Sequence, residues 1–88
     1  MRKWSEAEKE LYTPEEIRAM RLRVAIISEL IMERNENGIS QRKLGKLSGV
    51  KQPVISRIEA RETSPQIDTL LKLLAPLGKT LAIVPLDA

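Results

Sequence analysis

The chain has 88 residues, with 15 bases, 12 acids and a formal net charge of +3, enough for one small domain. It contains no Cys and no His, which excludes thiol chemistry, disulfides, the common zinc sites and His-based acid/base catalysis. Aromatic residues make up 2% of the chain, so the core has to be built from Leu, Ile, Val and Met, a composition that suits packed helices.

No apolar run approaches the roughly 20 residues that span a bilayer, and the first residues lack the apolar centre of a signal peptide. The expectation is a cytoplasmic protein with no cofactor and no metal. No grouping of nucleophile, base and orienting side chain suggests an enzyme.

Residues 1–12 combine charges with Trp4, Leu11 and Tyr12. A helix starting at Ser5 would be too short to hold alone, so this segment is either frayed or docked. Thr13-Pro14-Glu15-Glu16 is a helix start: Thr13 caps, Pro14 suits the first turn, and Glu16 completes a capping box. The helix is expected to run to about Asn37, with Gly38 as its stop. Ile17, Met20, Val24, Ile27 and Ile31 form one stripe, while Leu22, Ile26, Leu30 and Met32 lie outside it. A helix apolar around so much of its circumference is buried on more than one side, and a second chain is one source of that cover.

Ser40 caps the next helix, from Gln41 to about Ser48, and Gly49 ends it. A second short helix follows from Gln52 to about Ala60 with Pro53 in its first turn. Ser64-Pro65 is expected to open the last helix, with Ile67, Leu70, Leu71, Leu74 and Leu77 as its buried stripe. Thr80-Leu81-Ala82-Ile83-Val84 reads as a strand. With no obvious internal partner, it pairs either with the same tail of a second protomer, through Leu81, Ile83 and Val84, or with a partner's sheet edge. The other reading is an extended tail lying over the helices.

This divides the chain into an N-terminal segment (1–12), a helical domain (13–79) and a tail (80–88). The fold expected is all-α: a five-helix bundle with a short C-terminal β-strand.

The central stretch carries the function. Between Ser40 and Arg61 six bases face one acid, a net of +5, whereas the remainder has nine bases and eleven acids, a net of −2. Leu44, Leu47, Val50, Ile55 and Ile58 are read as facing inward, and Gly45 as the close crossing of the two helices. Lys51, Gln52, Ser56 and Arg57 then face outward on the second helix, beside Pro53. Gln can pair bidentately with adenine and Arg with guanine, and residues near the start of a recognition helix reach base edges. Gln41, at the start of the first helix, suits a phosphate contact. Arg42 and Arg61 add flanking cations.

Gln41-x-x-Leu44-Gly45-x-x-Ser48-Gly49-Val50-x-Gln52-Pro53-x-Ile55-Ser56-Arg57-Ile58-Glu59 resembles the Cro/repressor (XRE) type of helix-turn-helix. That resemblance implies a lambda-repressor-like bundle that binds a palindromic operator as a dimer and represses transcription. It also implies that Gln41 contacts phosphate and braces Gln52, with Lys51, Gln52, Pro53, Ser56 and Arg57 at the groove. Two positions depart from the family: Gly45 where Ala is usual, and Lys51 where a capping Ser or Thr is usual.

The long capped helix before the motif, Thr63 to Lys72 after it, and Leu77-Gly78-Lys79-Thr80-Leu81 are similar to HigA-like antitoxins of bacterial toxin–antitoxin pairs. The likeness implies neutralisation of a RelE/HigB-like mRNA-cleaving toxin together with repression of the shared operon. Trp4, Leu11, Tyr12, Ile17 and Met20 are the candidate toxin-binding surface; the alternative is that they cover the chain's own helices. A stand-alone XRE-type repressor, and a protein-interaction module that never meets DNA, remain the competing functions.

Overall fold

The computed structural model describes residues 3–86. Met1 and Arg2 of the N-terminal segment, and Asp87 and Ala88 of the tail, lie outside the described residues.

Five α-helices follow one another: α1 (Trp4–Leu11), α2 (Pro14–Glu36), α3 (Gln41–Ser48), α4 (Gln52–Glu59) and α5 (Ile67–Leu74), the last running into a 3₁₀ turn at Ala75–Leu77. The molecule measures 45 × 30 × 22 Å. It is elongated because α1 packs chiefly on α2, as the arm of a hairpin, while α3, α4 and α5 gather around the C-terminal half of α2.

The capping residues set the helix boundaries. Thr13 Oγ1 accepts from the Glu16 amide at 3.2 Å, and Glu16 Oε1 accepts from the Thr13 amide at 3.1 Å, closing the box that starts α2. Ser40 Oγ accepts from the Lys43 amide at 3.0 Å and starts α3. Gly49, at φ +78°, ends α3 in the left-handed region that favours glycine, and its amide donates to the Gly45 carbonyl. Lys51 stands at the cap position of α4 without a side-chain cap bond.

Ile27, Leu30, Leu44, Ile55, Ile58, Leu73, Leu74 and Leu77 form the core, with Ile31, Ile39, Val50 and Leu81 half-buried against it. At Gly45 a Cβ would sit 3.0 Å from the Val50 carbonyl oxygen, so this glycine lets α3 and the turn approach each other more closely than the family's usual Ala would.

Several expectations are corrected. The strand over Thr80–Val84 is absent: residues 79–86 form no secondary structure, because a strand exists only against a ladder partner and none of the described residues supplies one. Ser64-Pro65 does not open α5; the helix begins at Ile67 behind Gln66, whose side chain makes no cap bond. The buried stripe of α5 is Leu70, Leu73, Leu74 and Leu77, while Ile67 is 67% exposed and Leu71 37%. Leu47 is half-exposed rather than inward. On α2, Val24 is exposed rather than buried, alongside Leu22 and Met32. The segment from Ser5 does form a helix, one residue earlier than expected and docked on α2.

Candidate nucleic-acid interface

α3 and α4 make the most extensive inter-helix contact in the molecule, and they form the two arms of the motif. Their packing follows from three side chains. Leu44 from α3, and Ile55 and Ile58 from α4, are each 1% exposed or less. With Ile55 and Ile58 turned inward, the helical period places Pro53, Ser56 and Arg57 on the opposite face, while Gln52 lies on the flank at the first turn; all four are exposed. An eight-residue helix is about 12 Å long, which matches the width of the DNA major groove.

The flanking candidates are arranged around this helix. Lys51 is exposed at its start and Arg42 on the first turn of α3. Arg61 follows its end at φ +61°, a left-handed conformation rare for a non-glycine residue, and its Nη2 donates to Ser28 Oγ on α2 at 3.0 Å. Gln41 is half-buried, and its Nε2 donates to Glu59 Oε1 at 3.0 Å. The amide partner recorded for Gln41 is therefore Glu59, not Gln52.

Glu59 anchors a cluster that sequence reading missed. Arg34 Nε donates to Glu59 Oε2 at 2.7 Å and Arg34 Nη2 to Glu59 Oε1 at 2.6 Å, a bidentate pair joining α2 to the end of α4. Arg34 Nη1 also donates to the Ile39 carbonyl at 3.0 Å in the α2–α3 loop. The hydrogen bonds to Glu59 hold the Arg34 guanidinium above its ordinary pKa, against the opposing effect of burial. Both side chains are nearly buried, at 12% and 7% exposure, so the only acid between Ser40 and Arg61 is neutralised and hidden. The charge that remains exposed on the motif is cationic. The one signal in the sequence was that lone acid inside a basic stretch.

The second candidate surface is the α1–α2 hairpin. Trp4, Ile17 and Met20 line a cleft of about 290 Å³ together with Glu8, Arg21 and Val24. A larger cleft of about 770 Å³ opens where Ser5, Glu8 and Lys9 of α1 face Pro14, Ile17, Arg18, Arg21 and Leu22 of α2. Leu11 and Tyr12, at the hairpin turn, are exposed and line neither cleft. In the tail, Leu81 is half-buried against the core, while Ile83 and Val84 stand in solvent. Among the described residues, no helix is long and apolar enough to cross a membrane.

A bundle with a capped helix, a glycine turn and an outward amide-and-arginine face is a helix-turn-helix DNA-binding domain. Comparison with known proteins agrees: a family model described as "Helix-turn-helix" matches residues 30–84. The chain belongs to the XRE-type helix-turn-helix family of transcriptional regulators, a DNA-binding class. It is 63% identical over 83 residues to an HTH-type transcriptional regulator of Haemophilus influenzae, covering 94% of this chain and 85% of that protein. It is 45% identical over 49 residues to the HTH-type transcriptional regulator PuuR of Escherichia coli, covering 56% of this chain but 26% of that protein. Among solved structures, a chain of a "Toxin-Antitoxin module from Streptococcus pneumoniae" superposes with a TM-score of 0.76 at 59% identity, over 99% of this chain and 96% of that one.

Proposed function

We propose that this chain is a sequence-specific DNA-binding antitoxin. It represses its own operon as a dimer on a palindromic operator and neutralises a RelE/HigB-like mRNA-cleaving toxin. The observation that carries this reading is the extent of the structural likeness. The family model begins at residue 30, in the second half of α2, whereas the likeness to the toxin–antitoxin chain extends over the α1–α2 hairpin as well.

In this reading Gln52 and Arg57 read base edges by bidentate hydrogen bonds, Ser56 adds a polar contact, and Pro53 packs against thymine methyls. Gln41, Arg42, Lys51 and Arg61 hold the phosphates and set the register. The hairpin offers apolar side chains (Trp4, Leu11, Tyr12, Ile17 and Met20) to the toxin. Leu81, Ile83 and Val84 of the tail contact a second protomer.

The test is co-expression with the product of the adjacent reading frame. Co-purification, together with rescue of the growth arrest that product causes alone, is the expected result. A chain that binds its own upstream region but neither retains nor neutralises a neighbour is a stand-alone repressor, and the antitoxin reading fails.

A further inference from the structure

We propose that Glu59 is a positioning residue for the DNA-binding face: its carboxylate fixes the Gln41 side chain as a hydrogen-bond donor aimed at the phosphate backbone and locks that donor to the reading helix. The proposal rests on the DNA-binding reading above and adds the residue that prepares the site.

The geometry is specific. Glu59 closes α4, Gln41 is the first residue of α3, and Arg34 comes from the last turn of α2. Three donors converge on one nearly buried carboxylate: Arg34 Nε at 2.7 Å, Arg34 Nη2 at 2.6 Å and Gln41 Nε2 at 3.0 Å. An ionised carboxylate can only accept, so Gln41 must turn its nitrogen toward Glu59. One of its two N–H bonds is taken up there, and the second remains for an outside acceptor.

A free glutamine presents its oxygen or its nitrogen equally well, and a phosphate accepts only the nitrogen. Glu59 removes the wrong choice before DNA arrives. Arg34 is the other half of the device. Its bidentate pairing cancels the carboxylate charge, so an acid sits behind a cationic face without repelling DNA. Because the same carboxylate ends α4, the phosphate donor and the reading helix move as one body.

A double-mutant cycle on DNA affinity tests this, with a duplex of the chain's own upstream region as the probe. Glu59→Gln keeps the shape of the side chain but places an amide against the donors. Glu59→Gln and Gln41→Ala should each weaken binding by about tenfold, the scale of one hydrogen bond to a charged group. The double variant should then be no weaker than the weaker single, within about twofold. Independent losses that multiply to about a hundredfold overturn the proposal.

A second measurement needs no variant. In the free wild-type chain, one side-chain amide proton of Gln41 should exchange more slowly than those of exposed Gln52 and Gln66; equal exchange overturns the proposal. A wild type that binds no duplex overturns the DNA-binding reading and this proposal with it, a result distinct from additivity with binding intact.

Discussion

The Arg21 guanidinium reaches back across the α1–α2 hairpin to Glu8, with Nη2 2.9 Å from Oε2, while 68% of its own side chain stays in solvent and only 11% of the Glu8 side chain does. The bridge is thus asymmetric: the acid is committed and the base is half-free. Exposure of the arginine screens the attraction, so the bridge is worth at most about 1 kcal/mol. Its loss is nonetheless local, because α1 packs chiefly on α2. Arg21→Ala should speed hydrogen exchange across Trp4–Leu11 and change the emission of Trp4, the single tryptophan, while the urea midpoint of the bundle barely moves. A matching drop in global stability would mean that α1 folds as part of the core.

The Arg34–Glu59 pair should behave in the opposite way. Removing only the arginine strands a carboxylate that is 7% exposed. Arg34→Met is expected to cost about 3–5 kcal/mol in urea denaturation, and Arg34→Met with Glu59→Leu should recover much of that loss. The raised Arg34 pKa means that this contribution is fully present at and below the ordinary arginine range and is lost only as pH rises through a still higher folded value. Stability should therefore show no step from this pair between neutral and mildly alkaline pH.

The Thr13 amide and hydroxyl hold the Glu16 carboxyl below its ordinary value of 4.5. A depressed acid contributes stability above its unfolded pKa and loses it as pH falls through the lower folded value. Amide exchange at the start of α2 should accelerate on acidification below that ordinary value, and Glu16→Gln should flatten the response. An unchanged profile in Glu16→Gln would assign the acid sensitivity to another carboxylate.

On the DNA face, Gln52→Ala with Arg57→Ala should abolish discrimination between the upstream duplex and a scrambled one, without altering the circular dichroism of the bundle. Lys51→Ala should weaken both duplexes alike and lower the slope of log affinity against log salt by about one. A loss of sequence preference in Lys51→Ala would make Lys51 a reader rather than a phosphate contact.

In the core, Leu73→Ala is expected to cost about 2–5 kcal/mol, and Ile67→Ala or Leu71→Ala less than about 1 kcal/mol. Thermal or urea unfolding of the three variants ranks them directly. Leu73 also shows where sequence reading stops. Ile67, Leu70, Leu71, Leu74 and Leu77 satisfy a helical period as well as Leu70, Leu73, Leu74 and Leu77 do, and the true face is turned toward Leu73 and away from Ile67 and Leu71. In a segment this rich in leucine, only the neighbouring helices decide which stripe faces them.

Features written in adjacent residues were legible, because their physics is local. The Thr13–Glu16 box, the Ser40 cap and the glycine stop at Gly49 all stand as expected. So does the inward set of Leu44, Ile55 and Ile58, from which the exposed Pro53, Ser56 and Arg57 follow. The Arg34–Glu59–Gln41 cluster was not legible. Its members are 25 and 18 residues apart, and no periodicity links a base on one helix to an acid ending another. The tail failed for a related reason: Ile83 and Val84 have strand character, but a strand needs a second one to exist.

Arg21 and Arg34 lie thirteen positions apart on α2, about 20 Å along a helix that rises about 1.5 Å per residue. One arginine fastens the hairpin and the other fastens α4, so α2 acts as a strut with a socket at each end. Ligands seated at the two sockets share no side chain and need not evict one another. A partner seated on the hairpin that changes the far end of the molecule must therefore bend or rotate the strut. Occupying the hairpin alone would leave α4 where it was.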